Sequence, residues 1–456
     1  MKEDVSTIFK KVRKAQSSLM RLHQKEIDEL CAAIIWEAVQ DEFVKEITKL
    51  CFKETQLGNI PDKIYKFHNK LRGVLFEMQS EKSIDLIQHD KKKGIKIFAK
   101  PVGVIVSLLP LTIPDISPFV NAISAIKGRN AIILSPHPKA VKTNSLAVGK
   151  IKEVLLKHNI PENLVYTFNN ISKEFTNKLM KTADLVLATG GKKIIKIAHK
   201  SGTPVYGAGQ GNSVSIIDET ADINDAVSKI IKSKTFDFAT SCSSENSCIV
   251  QENIYNKFMD LMIENGAYFL NAQEKEKLKK CLWINGKLNP NIIAKSANKI
   301  SKFAGINIPN KTKILIVEES GIGEHFPFSG EKLSIVLTIY KYKYFESAID
   351  LVNKITNYQG AGHSCGIHSF NEDNINKLSQ NVNVSRITIR QPNSLSNNGS
   401  WTNNFTMSVI LGCGTWGGGI SNDNINWKHM INYTKVSYPT KSKKVSDLEL
   451  FGFKNK

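Results

Sequence analysis

The sequence predicts an α/β protein built on mostly parallel sheets with helices on both faces, and three observations carry that expectation. Strand-sized apolar runs alternate with amphipathic helical stretches from about 102 to 233, the pattern of repeated βαβ units. A second α/β region runs from about 241 to 411. At 456 residues the chain is too long for one ordinary domain, so two or three are expected.

Residues 1 to about 90 read as mostly helical. Within 1–19, Val5, Ile8, Phe9 and Val12 recur at helical spacing with basic residues between them. That makes an amphipathic helix and lacks the continuous apolar core of a signal peptide. A packing helix is the plain reading, and a targeting or encapsulation tag is the other. Helical spacing continues over 24–50. The alternation opens with a strand over 102–109, a helix near 116–126, a strand over 131–135 and a helix near 143–158. A strand over 164–168, a helix over 173–180, a strand over 185–188 and a helix over 194–200 follow. A strand over 214–217 and a helix over 223–233 close the series. In the second region, helices over 254–265 and 345–354 accompany apolar runs at 314–317, 334–337 and 387–389. From Gly412 the tail is glycine-rich, then polar and lysine-rich. It is expected to return to the first domain or to reach a neighbouring subunit.

Bulk chemistry removes several functions. The longest apolar runs, such as 102–110, fall far short of the roughly 20 residues a membrane helix needs, so no membrane partner is expected. The net charge is +20, but the lysines are spread along the chain rather than gathered in a stripe, which argues against nucleic acid. A basic surface still suits an anionic ligand such as CoA. The seven cysteines are scattered and form no C-x-x-C pair. A disulfide framework or metal site is therefore not expected, and a cytoplasmic location is.

The informative segment is Lys234-Thr-Phe-Asp-Phe-Ala-Thr-Ser-Cys242-Ser-Ser-Glu245-Asn-Ser-Cys248-Ile-Val. Cys242 lies between a helix and a strand amid small polar residues. Such a site leaves sulfur accessible to reactants, and its backbone N–H donors can lower the thiol pKa and hold an oxyanion. Cys248, in an apolar run, reads as core. Glu245 has two readings, a base three residues from the thiol or a carboxylate turned to backbone and sheet. His363, in Gly362-His363-Ser, is either a proton handler or a satisfied histidine in a glycine-rich turn.

On these residues the chain resembles the aldehyde dehydrogenase superfamily, in its CoA-acylating branch, from Pro101 to about Pro439. Phe236 to Val250 is similar to the nucleophile segment. Pro101-Val-Gly-Val-Ile-Val resembles the strand opening the cofactor fold, and Pro110-Leu-Thr-Ile-Pro114 the loop near the nicotinamide. The run Asn130 to Pro138, with Ser135 and His137, resembles the strand and turn beside the adenosine. Leu187-Ala-Thr189-Gly190-Gly191 is similar to the loop over the pyrophosphate. Glu331-Lys-Leu-Ser334 matches the segment whose glutamate binds the nicotinamide ribose. Gly362-His363-Ser and Gly412-Cys-Gly-Thr-Trp-Gly-Gly418 are typical of the acylating branch.

The resemblance implies a Rossmann-type cofactor domain over 1–238 and an α/β catalytic domain over 239–411. A tail over 412–456 and small oligomerisation elements complete an expected homodimer or homotetramer. It implies NAD or NADP as cofactor, CoA as co-substrate, and cofactor contacts at Pro110, Ser135, His137, Thr189, Gly190, Gly191, Gly209 and Glu331. The segment Ser135-Pro-His-Pro138 lacks an acidic ribose clamp and Lys139 suits a 2′-phosphate, so both nucleotides stay open. Catalysis falls to Cys242, His363 and Thr112, with the oxyanion held by the Cys242 backbone N–H and by Thr112. Hydrolytic members carry an asparagine at that loop position and a water-activating glutamate elsewhere. The equivalent stretch here, Tyr206-Gly-Ala-Gly209-Gln-Gly-Asn212, has no acid. A thioester on Cys242 would then await a thiol, and CoA is the natural acceptor. Ile113 replaces a residue that is often polar in acylating enzymes.

Segments 327–334 and 422–430 resemble the branch members that oxidise sulfoacetaldehyde, with acetaldehyde or another short aldehyde the next expectation. Arg390 stands where relatives usually have asparagine, and reads as a grip on an anionic substrate or as a surface ion pair. The amide- and hydroxyl-rich loop 394–404 also favours a polar substrate.

Overall fold

The computed structural model describes residues 4–169, 172–441 and 443–452. Met1 to Glu3, within the predicted first helix, lie outside that set. The N-terminal region is helical as expected: α1 (Val5–Leu19), α2 (Gln24–Ala38), α3 (Asp41–Thr55) and α4 (Ile60–Met78). The face Val5, Ile8, Phe9, Val12, Ala15 and Leu19 is buried, so α1 serves as a packing helix. The periodic stretch 24–50 is two helices, because Val39 and Gln40 interrupt it.

Strands β1 (Asp85–Asp90) and β2 (Ile95–Pro101) form an antiparallel pair that the sequence reading missed, since their faces are only partly buried. Then come β3 (Val104–Leu108), α5 (Ser117–Lys127), β4 (Ala131–Ser135), α6 (Val141–Lys157) and β5 (Val165–Thr167). The series continues through α7 (Lys173–Thr182), β6 (Leu185–Thr189), α8 (Lys192–His199) and β7 (Val205–Ala208). The five strands β3 to β7 form one parallel sheet in the order β5-β4-β3-β6-β7. The order reverses between β3 and β6, and ligands of such sheets bind outside the carboxyl ends at that switch point.

The strand expected to close this series, β8 (Ser213–Ile217), belongs to a different sheet. After β8, α9 (Ile223–Thr235) leads to β9 (Glu245–Gln251), β10 (Ala267–Phe269), the hairpin β11 (Trp283–Ile284) and β12 (Lys287–Leu288), and β13 (Ile314–Glu318). Next are β14 (Val336–Tyr342), β15 (Cys365–His368) and β16 (Ile387–Ile389). The second sheet has seven parallel strands in the order β10-β13-β14-β9-β8-β15-β16. Sequence adjacency misled here: β7 was unseen because it is four residues long and glycine-containing, so the crossover out of the first sheet was counted one strand late. The tail comes back through β17 (Ile431–Ser437), which pairs antiparallel with β2.

The all-parallel second sheet concentrates chemistry at one edge. Ser213 begins β8 and Cys242 lies three residues before β9. Glu331 precedes β14, His363 lies two residues before β15, and Arg386 immediately precedes β16. Their amino ends therefore converge, opposite the carboxyl ends of the first sheet.

Candidate active site

The loop that presents Cys242 is held under backbone strain. Asp237, Phe238 and Ala239 have φ of 48°, 50° and 59°, a left-handed run that costs L-residues about 1–2 kcal/mol each. The Asp237 carboxylate offsets it by accepting from the Asn59 N–H at 2.9 Å, the Thr240 hydroxyl at 2.7 Å, Lys66 at 2.7 Å and Lys63 at 3.3 Å. Burial opposes ionisation of Asp237, yet Lys66 and Lys63 hold its carboxyl below the usual range. The strand and helix on either side of Cys242 thus meet through a bend fixed from α4.

His363 Nε2 stands 3.2 Å from the Cys242 Sγ, and its Nδ1 is 2.8 Å from the Ser364 Oγ. Ser364 donates to the Ser213 Oγ at 3.4 Å, and Ser213 also accepts from the Asn393 amide at 3.0 Å. This chain favours the tautomer with the proton on Nδ1, leaving the Nε2 lone pair toward the thiol. The contact brings together residues 121 positions apart and sets the imidazole of His363 against the thiol.

Burial, then the charges of Glu331 and Cys413, push the Cys242 thiol up to about 12, against the Ser243 hydroxyl and Arg386. The expectation of a lowered thiol pKa is corrected here, because withdrawal from water outweighs the surrounding dipoles. Burial and the Arg386 charge pull His363 down to about 3. Thiol and imidazole therefore rest as a neutral pair.

Arg386, which the sequence reading passed over, ties this corner together. Its buried guanidinium donates to the His363 carbonyl at 2.8 Å, the Asn424 side chain at 2.6 Å, the Asn422 carbonyl at 2.9 Å and the Gly412 carbonyl. It thereby fixes the glycine-rich tail beside the histidine turn. Nothing in the local pattern around Arg386 marks it; its partners come from a segment more than twenty residues away.

Arg390 is corrected in the opposite sense. It follows the carboxyl end of β16, whereas the site lies at the amino edge of that sheet. Its guanidinium donates to the Ser369 carbonyl at 2.5 Å, stacks 4.2 Å over Phe370, and does not line the cavity at Cys242. Glu245 is also structural: its buried carboxylate accepts from the Asn393 N–H at 3.0 Å, and burial raises its pKa. Cys248 is fully buried in the core.

Two cavities meet this corner. One, of about 270 Å³, is lined by Cys242, by Thr112 and Thr189 from the first sheet, and by Ser394, Ser396 and Ser400 from the predicted polar loop. Thr112 follows β3 and Thr189 ends β6, so the switch point faces the nucleophile. The other, of about 1270 Å³, is lined by Gly209 and Glu331 and by the cations Lys192, Lys196, Lys279 and Lys280. Gly190 and Gly191 precede α8, whose amino end favours an anion. Pro110 lies in the loop after β3, and Ser135 ends β4 with His137 just beyond it at the same carboxyl edge. Burial raises Glu331 to about 8, against hydrogen bonds from Gln210 and the Gly211 N–H. Among the described residues no group of three or more His, Cys, Asp or Glu could hold a metal ion, and no helix is long and apolar enough to cross a membrane.

The acid-free loop is closed to any side chain at its tightest point. A Cβ on Gly211 would lie 2.1 Å from the Cys242 carbonyl oxygen and 2.9 Å from its Cβ. Gly211→Ala is expected to displace the nucleophile loop, lowering kcat at least tenfold and stability by roughly 1–3 kcal/mol. Steady-state kinetics and thermal unfolding check this, and an unimpaired variant would refute the close packing.

Residues 1–302 match the Aldehyde dehydrogenase family. The chain belongs to the aldehyde dehydrogenase family. Members similar to it include the sulfoacetaldehyde dehydrogenase of an Acholeplasma species, 44% identical over 97% of this chain and 93% of that one. The sulfoacetaldehyde dehydrogenase (acylating) of Bilophila wadsworthia strain 3_1_6 is 42% identical over 98% of both chains. The solved acetylating aldehyde dehydrogenase of Geobacillus thermoglucosidasius is 34% identical, covers 96% of this chain and 97% of its own, and superposes with a TM-score of 0.93. The aldehyde dehydrogenase fold expected from the sequence is thus met, and it brings Cys242 and His363 into contact.

Proposed function

We propose that this aldehyde dehydrogenase converts an aldehyde, CoA and NAD(P)⁺ to acyl-CoA and NAD(P)H, with sulfoacetaldehyde the favoured aldehyde. One observation carries the acyl-transfer reading. The loop that holds the water-activating glutamate in hydrolytic members is here Gly209-Gln-Gly211, which carries no carboxylate and at Gly211 packs against Cys242 too closely for a side chain. The names of the similar acylating and sulfoacetaldehyde-oxidising enzymes support both the reaction and the substrate.

The residues fit the absent groups. The crevice outside β3 and β6, the amino end of α8 and Glu331 suit a dinucleotide. The lysines of the larger cavity suit the phosphates of either nucleotide or CoA. The nicotinamide supplies the hydride acceptor, and the protein does the rest. Cys242 attacks the aldehyde carbon while His363 Nε2 takes the thiol proton. The Cys242 N–H and Thr112 are assigned to the resulting oxyanion. After oxidation the acyl group rests on Cys242 as a thioester. The CoA thiol attacks it, losing its proton as the Cys242 sulfur departs and regains one, with His363 placed to relay both.

Six of the seven residues of β17 are exposed in the single chain, which supports assembly into a homodimer or homotetramer through the β1-β2-β17 sheet. The seven free cysteines support a cytoplasmic location. The reaction is tested by following NAD(P)H with and without CoA. Turnover is expected to stop near one equivalent per site when CoA is omitted; sustained turnover giving free acid would sink the acyl-transfer reading.

A further inference from the structure

The cavity at Cys242 is lined by three lysines, Lys66, Lys70 and Lys232, and by no carboxylate. Two of these cations are already accounted for. Lys66 is paired with Asp237 at 2.7 Å, and Lys232 is exposed on the last turn of α9. Lys70 differs from both. It projects from the middle of α4, is only 7% exposed, and forms no ion pair among the described residues. Its ammonium donates to the carbonyls of Asn398 at 2.7 Å and Gly399 at 3.1 Å. An ammonium has three N–H donors, so one remains beyond these two. A buried cation hydrogen-bonded to neutral carbonyls, with a carboxylate nearby but no ion pair, is incompletely compensated, and an incoming anion relieves that deficit. Burial draws Lys70 down to about 7, against the pull of Glu77.

The carbonyls that hold Lys70 belong to the same polar loop that supplies Ser396, Ser400 and Thr402 to the cavity wall. Cation and hydroxyls therefore share one small chamber with the nucleophile. We infer that Lys70 is the specificity-determining residue of the aldehyde site, receiving the anionic tail of a short aldehyde whose carbonyl lies at Cys242. This inference rests on the aldehyde-oxidising reading above and names the residue that selects its substrate class. A sulfonate presents three oxygens to the free N–H and the surrounding hydroxyls, which favours it over a carboxylate, although both share the anionic chemistry.

The test compares wild type, Lys70→Met and Lys70→Arg on sulfoacetaldehyde, succinic semialdehyde and uncharged propanal, in the presence of CoA and NAD(P)⁺. Lys70→Met is expected to lower kcat/KM for sulfoacetaldehyde about 100-fold, chiefly through KM, with propanal changed less than threefold. Lys70→Arg is expected to keep most of the preference for the anion. An equal fall on propanal, or an unchanged ratio of sulfoacetaldehyde to propanal, overturns the inference and leaves Lys70 a brace for the 398–399 turn. Selective loss on succinic semialdehyde alone overturns the choice of sulfonate. Should Lys70→Met not fold, competition by ethanesulfonate against propanal in wild type and Lys70→Arg decides: no competition in either overturns the inference. A wild type that oxidises sulfoacetaldehyde without CoA fails the acyl-transfer reading, while the ratio between aldehydes still judges Lys70.

Discussion

Cys242→Ala is expected to lower aldehyde oxidation by about 10⁴-fold or more, since no other group can form the covalent intermediate. Cys242 is the one cysteine among the described residues that line the smaller cavity with Thr112 and Thr189, and its neighbour Cys248 is sealed in the core. Removing one sulfur at a partly exposed position should leave thermal unfolding almost unchanged, so the loss will be chemical. Mass spectrometry of wild type given aldehyde and NAD(P)⁺ without CoA is expected to find the acyl group on Cys242. A variant that retains full oxidation, or an acyl group on another cysteine, would remove Cys242 from the mechanism.

His363→Ala is expected to cost kcat roughly 10²–10³-fold, the range for losing a positioned base. The loss should be large because the thiol is held up at about 12 and supplies little thiolate unaided. The pH profile discriminates further. An ordinary histidine base is lost as pH falls through about 6.5. Here the ring is drawn down to about 3 by burial and Arg386, so it keeps its lone pair throughout the neutral and mildly acidic range. Wild-type kcat should therefore show no inflection near 6.5, and added imidazole should partly restore the variant. An acidic limb centred near 6.5 that vanishes in His363→Ala would contradict the buried, neutral pair.

Much of this protein was legible along the chain. Apolar period and turn residues located the βαβ series, and the strand over 131–135 agrees residue for residue with β4. Small polar residues around Cys242 marked a reactive sulfur, and the missing acid in 206–212 pointed to acyl transfer. These features are local, because backbone hydrogen bonding and burial within one element leave their period in the sequence. Other features were not local. The placement of β8 depended on a four-residue strand too short to show a period. Arg390 drew notice by residue type, yet it follows the carboxyl end of its strand, on the far edge of the sheet. Arg386, four residues earlier, precedes the same strand and reaches the site. Lys70 lies on a helix whose amphipathic pattern gives no sign that it lines the cavity at Cys242. The parallel α/β architecture, Cys242 as the candidate nucleophile and the absence of an acid from 206–212 could be read along the chain. Only the folded chain shows that His363 touches Cys242, that the thiol is raised rather than lowered, and that Lys66, Lys70 and Lys232 line the cavity at Cys242. Strand order, register and depth of burial control those contacts, and all three arise from pairings between residues far apart in the chain.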